Sequence, residues 1–342
     1  PEWAQAAVAG WYPESPHRGG HFAQALAAAH TGDPKADAAL LAVAGDTSQP
    51  GIARATALDH LAERPQPTQL FTVKRLLKDN DALVRAAALR LLRHADITTQ
   101  VDQGWPLLDD PVRTVRLEAV SLLAPLMRQR LPEKFHTQLV KGIEEYEVAQ
   151  GVNAERPEAH LSLGVLAVDL GLPNKAETAY RTALRLDPSF APVYINLADL
   201  YRQLDRDPEG ERVLSDGIAA LPKEPTLYHV LGLTQVRQKR LDAALKSLQH
   251  ATELAPEQGR YAYVYALALD KAGDESRAIQ VLGELLQREP NHRDAAIALM
   301  SIHRERGDLA AARKQLEVIK QHLPEDPQIR AFEQQLSNQS NQ

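Results

Sequence analysis

The sequence predicts an all-α chain, a right-handed α-α superhelix (solenoid) in which small helical hairpins stack in a row. Three observations predict it. Proline returns with a spacing of 34 at Pro188, Pro222, Pro256, Pro290 and Pro324. Arginine returns with a spacing of 31 nearer the start, at Arg54, Arg85 and Arg116. Aromatic residues make up only 5% of a chain rich in Ala and Leu, which suits helices. A fixed period in the range of about 20–50 residues is the signature of stacked units that cannot bury their apolar faces alone.

Residues 157–324 carry the longer period in several registers. Small residues recur at Gly164, Ala198, Gly232 and Ala266, with Met300 in the fifth slot, and again at Ala176, Gly210, Ala244, Ala278 and Ala312. Larger apolar residues hold the slots Leu163, Leu197, Leu231, Tyr265 and Leu299, then Tyr180, Leu214, Leu248, Leu282 and Leu316. Small residues at facing positions let the two helices of a hairpin approach, and the larger ones fill the gaps between hairpins. Each proline ends the second helix, because it lacks the amide donor and biases its predecessor away from helix. In the second unit Gly210 and Gly217 are expected to weaken that helix by roughly 1 kcal/mol each. This frame resembles the tetratricopeptide repeat (TPR), five times over.

At 342 residues the chain is long for one core and ordinary for a solenoid, so two domains are expected. It has no cysteine, which removes disulfides, thiolate metal sites, thiol catalysis and any C-x-x-C-H haem attachment within these residues. The net charge is −6, with 15 basic and 15 acidic residues in 1–134 and 24 against 30 in the remainder. Neither half has the basic footprint of a nucleic-acid binder, so no nucleic acid is expected as a partner. No apolar run is long enough to span a membrane, and there is no signal peptide. The chain opens at Pro1 within an expected helix, so we read it as cut from a longer protein.

In chain order, residues 1–134 form the first domain. A short helix over 1–12 has Trp3 and Trp11 on its apolar side, and a loop with Pro13, Pro16, Gly19 and Gly20 follows. A helix starting at His21 runs to near Gly32, and another spans Ala36 to Ala44. The shorter period then appears as Ile52-Ala53-Arg54-Ala55, Leu83-Val84-Arg85-Ala86 and Thr114-Val115-Arg116-Leu117, each a few residues after a turn carrying Asp46, Asp79 and Asp81, or Asp109 and Asp110. This resembles short HEAT repeats, whose second helix opens with valine and arginine. Residues 135–156 read as a joining helix with Leu139, Ile143, Tyr146 and Ala149 on one side, and no flexible linker separates the arrays. After the repeats, 325–336 is a capping helix and 337–342 a polar, disordered tail.

No GxGxxG, Walker loop, GxSxG or HExxH is present, and we read the segment as non-catalytic, with no catalytic, metal or cofactor-binding residues. His17, His21 and His30 are the only clustered imidazoles, and the bland reading is polarity at a loop and a helix start. Arg54, Arg85 and Arg116 could form a basic stripe for an anionic partner. The favoured reading is a structural ladder in which each arginine spans adjacent hairpins to a turn aspartate and bonds backbone carbonyls. Glu144, Glu145 and Glu147 read as a solvated helix face. Trp3, Trp11 and Trp105 read as core.

In a tetratricopeptide array the fifth and ninth positions of each first helix point into the concave surface. Here they are Leu161 and Val165, Ile195 and Asp199, His229 and Leu233, Tyr263 and Leu267, and Ile297 and Ser301. Most are apolar, which marks a docking surface, and five hairpins at about 10 Å per helix would offer a groove of roughly 50 Å. The array does not carry the Lys/Asn/Arg carboxylate clamp of chaperone-binding members, since those slots hold Leu161, Val165, Asn196, Thr226 and Val230. The alternative is a groove closed by another part of the same protein.

A wider resemblance covers essentially the whole chain. The opening tryptophans, His21-Phe22-Ala23-Gln24-Ala25-Leu26, Ala53-Arg54-Ala55-Thr56-Ala57-Leu58, Tyr194-Ile195-Asn196-Leu197-Ala198-Asp199 and Arg260-Tyr261-Ala262-Tyr263-Val264-Tyr265 resemble the segment that follows the haem region in bacterial multihaem c-type cytochromes fused to tetratricopeptide repeats. The resemblance implies the C-terminal scaffold of an exported, periplasmic electron-transfer protein, with haem c only in an N-terminal region outside this chain. It implies that a protein partner, or the protein's own haem domain, sits in the groove. The alternatives are a free-standing cytoplasmic adaptor that assembles an enzyme or secretion complex, and an accessory domain of a non-haem enzyme.

Overall fold

The computed structural model describes residues 10, 21–30, 33, 35–66, 69–128 and 133–339. Every regular element among them is helical. The chain divides into two compact units, residues 1–154 with 166–172, and residues 155–165 with 173–342. The expected helix over 1–12, with Trp3 and Trp11, and the loop containing His17 lie almost wholly outside the described residues.

In the first unit the helices are α1 (Phe22–His30), α2 (Ala36–Gly45), α3 (Gly51–Glu63), α4 (Leu70–Leu76), α5 (Ala82–Leu92), α6 (Ile97–Gly104), α7 (Arg113–Leu123) and α8 (Glu133–Gly151), with 3-10 turns at Trp105–Asp109 and Ala124–Arg128. Asp81 caps α5 by accepting from the Leu83 amide at 2.9 Å, and Asp96 caps α6 through the Thr99 amide at 2.9 Å. Leu58, Leu61, Val84, Leu89, Val115 and Leu123 are fully buried in one core. Trp105 is core as expected, its ring 4.2 Å from that of Phe135. The stretch read as a joining helix is α8, which belongs to this unit and places Leu139 and Ile143 in the same core.

The arginine ladder forms. Arg54, only 4% exposed, forks onto Asp79 with bonds of 3.1 and 2.5 Å and donates its Nε to the Ala44 carbonyl at 3.0 Å. Arg85 repeats this on Asp110 at 2.8 and 2.9 Å while its third nitrogen holds the Asp79 carbonyl at 2.7 Å. Arg116 takes Glu145 at 2.8 and 2.6 Å and the Asp110 carbonyl at 2.7 Å. Each guanidinium therefore ties its own turn to the next hairpin by a bidentate, charge-assisted pair. With all three so engaged, nothing supports the reading of a basic stripe for an anionic partner. The last rung corrects the expectation for Glu145, which is not simply part of a solvated face but the terminal acceptor.

The second unit holds the rest of the helices: α9 (Pro157–Asp169, whose final turn falls in the first unit), α10 (Pro173–Leu186), α11 (Ala191–Gln203), α12 (Asp207–Ala220), α13 (Pro225–Arg237), α14 (Leu241–Leu254), α15 (Gly259–Lys271), α16 (Glu275–Arg288), α17 (Arg293–Glu305), α18 (Leu309–His322) and α19 (Pro327–Gln339). First helices of successive hairpins start 34 residues apart, at 157, 191, 225, 259, 293 and 327. Close approach explains the small residues: a Cβ on Gly164 would lie 2.2 Å from the Tyr180 ring, and one on Gly232 would lie 2.6 Å from Leu248. Gly217, expected only to weaken its helix, makes room for Tyr194, whose ring a Cβ would meet at 2.8 Å.

A further period is carried by the backbone alone. Gly171, Asp205, Lys239, Gly273 and Gly307 have φ of 71, 56, 61, 83 and 79°, again 34 apart, in the turn between the two helices of each hairpin. At each, the next amide bonds back five residues, from Leu172 to Ala167, Arg206 to Tyr201, Arg240 to Gln235, Asp274 to Leu269 and Asp308 to His303, at 2.8–2.9 Å. This is the Schellman cap, which satisfies orphan carbonyls at a helix end. The stretch expected to be disordered from 337 is helical through Gln339, where Ser337 Oγ donates to the Glu333 carbonyl at 3.0 Å.

Candidate protein-binding groove

The first helices of the second unit place the ten groove residues unequally. Tyr263, Leu267, Ile297 and Ser301 come together and line one cleft of about 350 Å³, between α15 and α17 and reached by Gln328 of α19. Tyr263 and Leu267 stand one helical turn apart on α15, and Ile297 and Ser301 likewise on α17, so each helix presents one stripe. Ala298 and Ile302 complete the apolar wall, and Asp270, Asp294 and Glu305 supply its charged edge. Burial, with help from Asp294, raises the Tyr263 phenol above its ordinary range.

The other six do not join that cleft. Leu161 is half-buried and Val165 exposed on α9. Ile195 packs against the cluster of Tyr194, Ala198, Leu214, Leu227 and Leu231. Asp199 is engaged on its own helix, accepting from Arg202 at 2.6 Å and Gln203 at 2.9 Å. Burial alone would raise its pKa, but those two donors and nearby Arg237 hold it below the usual carboxylate range. Leu233 is half-buried on α13.

His229 is 4% exposed, with its ring 4.7 Å from that of Tyr261 and neither nitrogen hydrogen-bonded among the described residues. Burial, reinforced by Arg260, pushes its pKa down to about 4, so the imidazole is neutral at physiological pH. It is a packing residue that offers a partner little surface.

Asp270, Asp294, Glu305 and Gln328 were not among the residues picked from the sequence. They sit outside the fifth and ninth positions, and helical spacing reaches three of them, through Tyr263, Leu267 and Asp270 at i, i+4 and i+7 and through Asp294, Ile297, Ser301 and Glu305 at i, i+3, i+7 and i+11.

The first unit has a separate cleft of about 310 Å³ beside Gln66, Gln69, Leu91 and His94. Gln69 Oε1 accepts from the Gln66 amide at 3.0 Å, while its Nε2 is buried with no partner among the described residues. His21 acts at a helix start, its Nδ1 accepting from the Ala23 amide at 3.2 Å, and His30 ends the same helix. Among the described residues no group of three His, Cys, Asp or Glu side chains could hold a metal ion, and no helix is long and apolar enough to cross a membrane.

Comparison with known proteins identifies the repeats. Residues 213–330 match a family model described as the TPR domain of cytochrome c-type biogenesis protein H, and residues 167–233 match a tetratricopeptide repeat model. Among solved structures, yeast Tom70 is similar at 14% identity and a TM-score of 0.56, covering 88% of this chain and 70% of its own. YrrB, described as a TPR protein with an unusual peptide-binding site, is 20% identical over 55% of this chain and 97% of its own, with a TM-score of 0.43. PilF of Pseudomonas aeruginosa is 20% identical over 48% of this chain and 75% of its own, with a TM-score of 0.42. No curated protein sequence matches the chain. The chain thus carries tetratricopeptide repeats and an all-α solenoid fold.

Proposed function

We propose that the second unit is a protein-docking scaffold that grips a segment of another protein and performs no chemistry itself, and that it does so in the service of c-type cytochromes outside the cytoplasm. The observation that carries the docking role is the open cleft that Tyr263, Leu267, Ile297 and Ser301 share, concave and lined by a mixture of apolar and charged side chains. Support for the cytochrome setting comes from the biogenesis-type repeat matched over 213–330 and from the resemblance to the repeat region of multihaem cytochromes. In that setting the haem belongs to the partner, or to a haem-bearing part of the same protein, because this chain has no cysteine to hold it covalently. Electron transfer is then a property of what is docked, and the scaffold sets its position.

Two measurements test the reading. Peptides selected by display against the whole chain should bind wild type and lose binding to Tyr263→Glu/Leu267→Glu, both in the cleft, at unchanged far-UV circular dichroism; binding that survives the double substitution overturns the groove. A multihaem c-type cytochrome mixed with the chain should co-elute on gel filtration when followed by its haem absorbance. A cytochrome that elutes alone counts against the cytochrome setting and leaves the groove standing.

A further inference from the structure

The cleft between α15 and α17 has an edge that its floor does not explain. Tyr263, Leu267, Ile297 and Ile302 would accept any apolar side chain, yet three carboxylates stand around them. Asp294 is answered by Arg293, whose Nε lies 2.9 Å away. Asp270 and Glu305 have no basic side chain within ion-pair distance among the described residues, and the nearby Arg306 faces Glu275 instead, at 3.6 Å. Burial, together with repulsion from Glu305 and Glu275, raises the Asp270 carboxyl above its ordinary range. Two like charges held at the lip of an apolar cleft are a standing cost that a cation relieves, and the low-dielectric wall beside them strengthens that attraction.

We propose that this cleft selects a protein segment in which an apolar side chain is flanked by lysine or arginine, the apolar group seating against Tyr263 and Leu267 and the cation between Asp270 and Glu305. The inference rests on the docking role assigned to the second unit and names the chemistry of what docks. Charge complementarity sets the choice: a neutral segment leaves the two carboxylates in repulsion, and an acidic one adds to it. The same pairing speeds encounter at low salt and weakens as ionic strength rises.

The test uses the whole chain and three synthetic peptides that share a leucine core and differ only in flanking lysine, glutamine or glutamate, with affinities read by fluorescence anisotropy. The lysine-flanked peptide should bind about tenfold tighter than the glutamine-flanked one at low salt, the effect of one well-placed charge pair. Asp270→Asn/Glu305→Gln should erase that difference, and Asp270→Lys/Glu305→Lys should transfer the preference to the glutamate-flanked peptide, a reversal that misfolding cannot imitate. Equal binding of the lysine and glutamine peptides overturns the charge rule; if that binding is still lost in Tyr263→Glu, the docking role survives it. Absence of binding by all three peptides overturns the charge rule and the docking role together.

Discussion

The two units solve one problem, joining hairpins that cannot stand alone, in different currencies of interaction. The first ties neighbours with ion pairs of which two are largely buried, Arg54 with Asp79 at 5% and 11% exposure and Arg85 with Asp110 at 11% and 5%. The second ties them with close backbone approach and apolar contact, and its inter-hairpin ion pairs are more open to water, as Arg240 and Glu211 are at 50% and 21%. What differs is the consequence of losing a partner. A largely buried carboxylate left alone recovers little hydration, whereas a more exposed one rehydrates.

The sharpest way to break this comparison is to remove one arginine from each unit. Arg54→Ala should destabilise the first unit by about 3–5 kcal/mol, because it strands Asp79 and frees the Ala44 carbonyl. Arg240→Ala should cost no more than about 1 kcal/mol. Urea unfolding followed by hydrogen exchange, which assigns the loss to helices, checks both, and equal effects would erase the distinction.

Acid should separate the units next. Burial raises Asp79 and Asp110, but hydrogen bonds from Arg54 and Arg85 and from backbone amides win, and both carboxyls end below their ordinary range. Glu145 is lowered chiefly by Arg116. A carboxyl depressed in the folded state stabilises above its unfolded pKa of about 4, and that contribution is lost as pH falls through the folded value. Asp270 has the opposite sign, since its raised pKa means that protonation relieves the fold. Exchange protection in α3, α5 and α7 should therefore fall before that in α15 and α17 as pH drops from 5 towards about 2. Simultaneous loss would show that the rungs do not govern acid stability.

The smallest effect concerns the repeated turn. Lys239 holds a φ of 61°, which costs a non-glycine residue roughly 1 kcal/mol, so Lys239→Gly should raise the midpoint of urea unfolding, reduced by the extra freedom glycine gives the unfolded chain. Gly273→Lys, made at the matching position of a later hairpin, should lower it.

Much of this was legible because the periodic residues act locally. Pro188, Pro222, Pro256, Pro290 and Pro324 stop helices by their own chemistry, so the sequence alone locates the turns. The left-handed turn residues escaped because Asp205 and Lys239 interrupt the glycines, and the requirement lies in a backbone angle that three residue types meet. Glu145 was misread because its arginine is 29 residues away, where the other rungs span 25, and because it sits within a helix among other carboxylates. Of the groove residues, Tyr263, Leu267, Ile297 and Ser301 share a cleft, while His229 is covered by packing against Tyr261, a contact no helical register announces.

The turns of the second unit also bear on how such a chain changes length. Hairpin starts recur every 34 residues with the same cap geometry, so excising 225–258 would bring residue 259 to the place where 225 began, with a Schellman turn and a proline stop still on either side. Gene duplication or loss in whole multiples of that step leaves every junction chemically familiar, and a groove can lengthen or shorten without inventing a new corner.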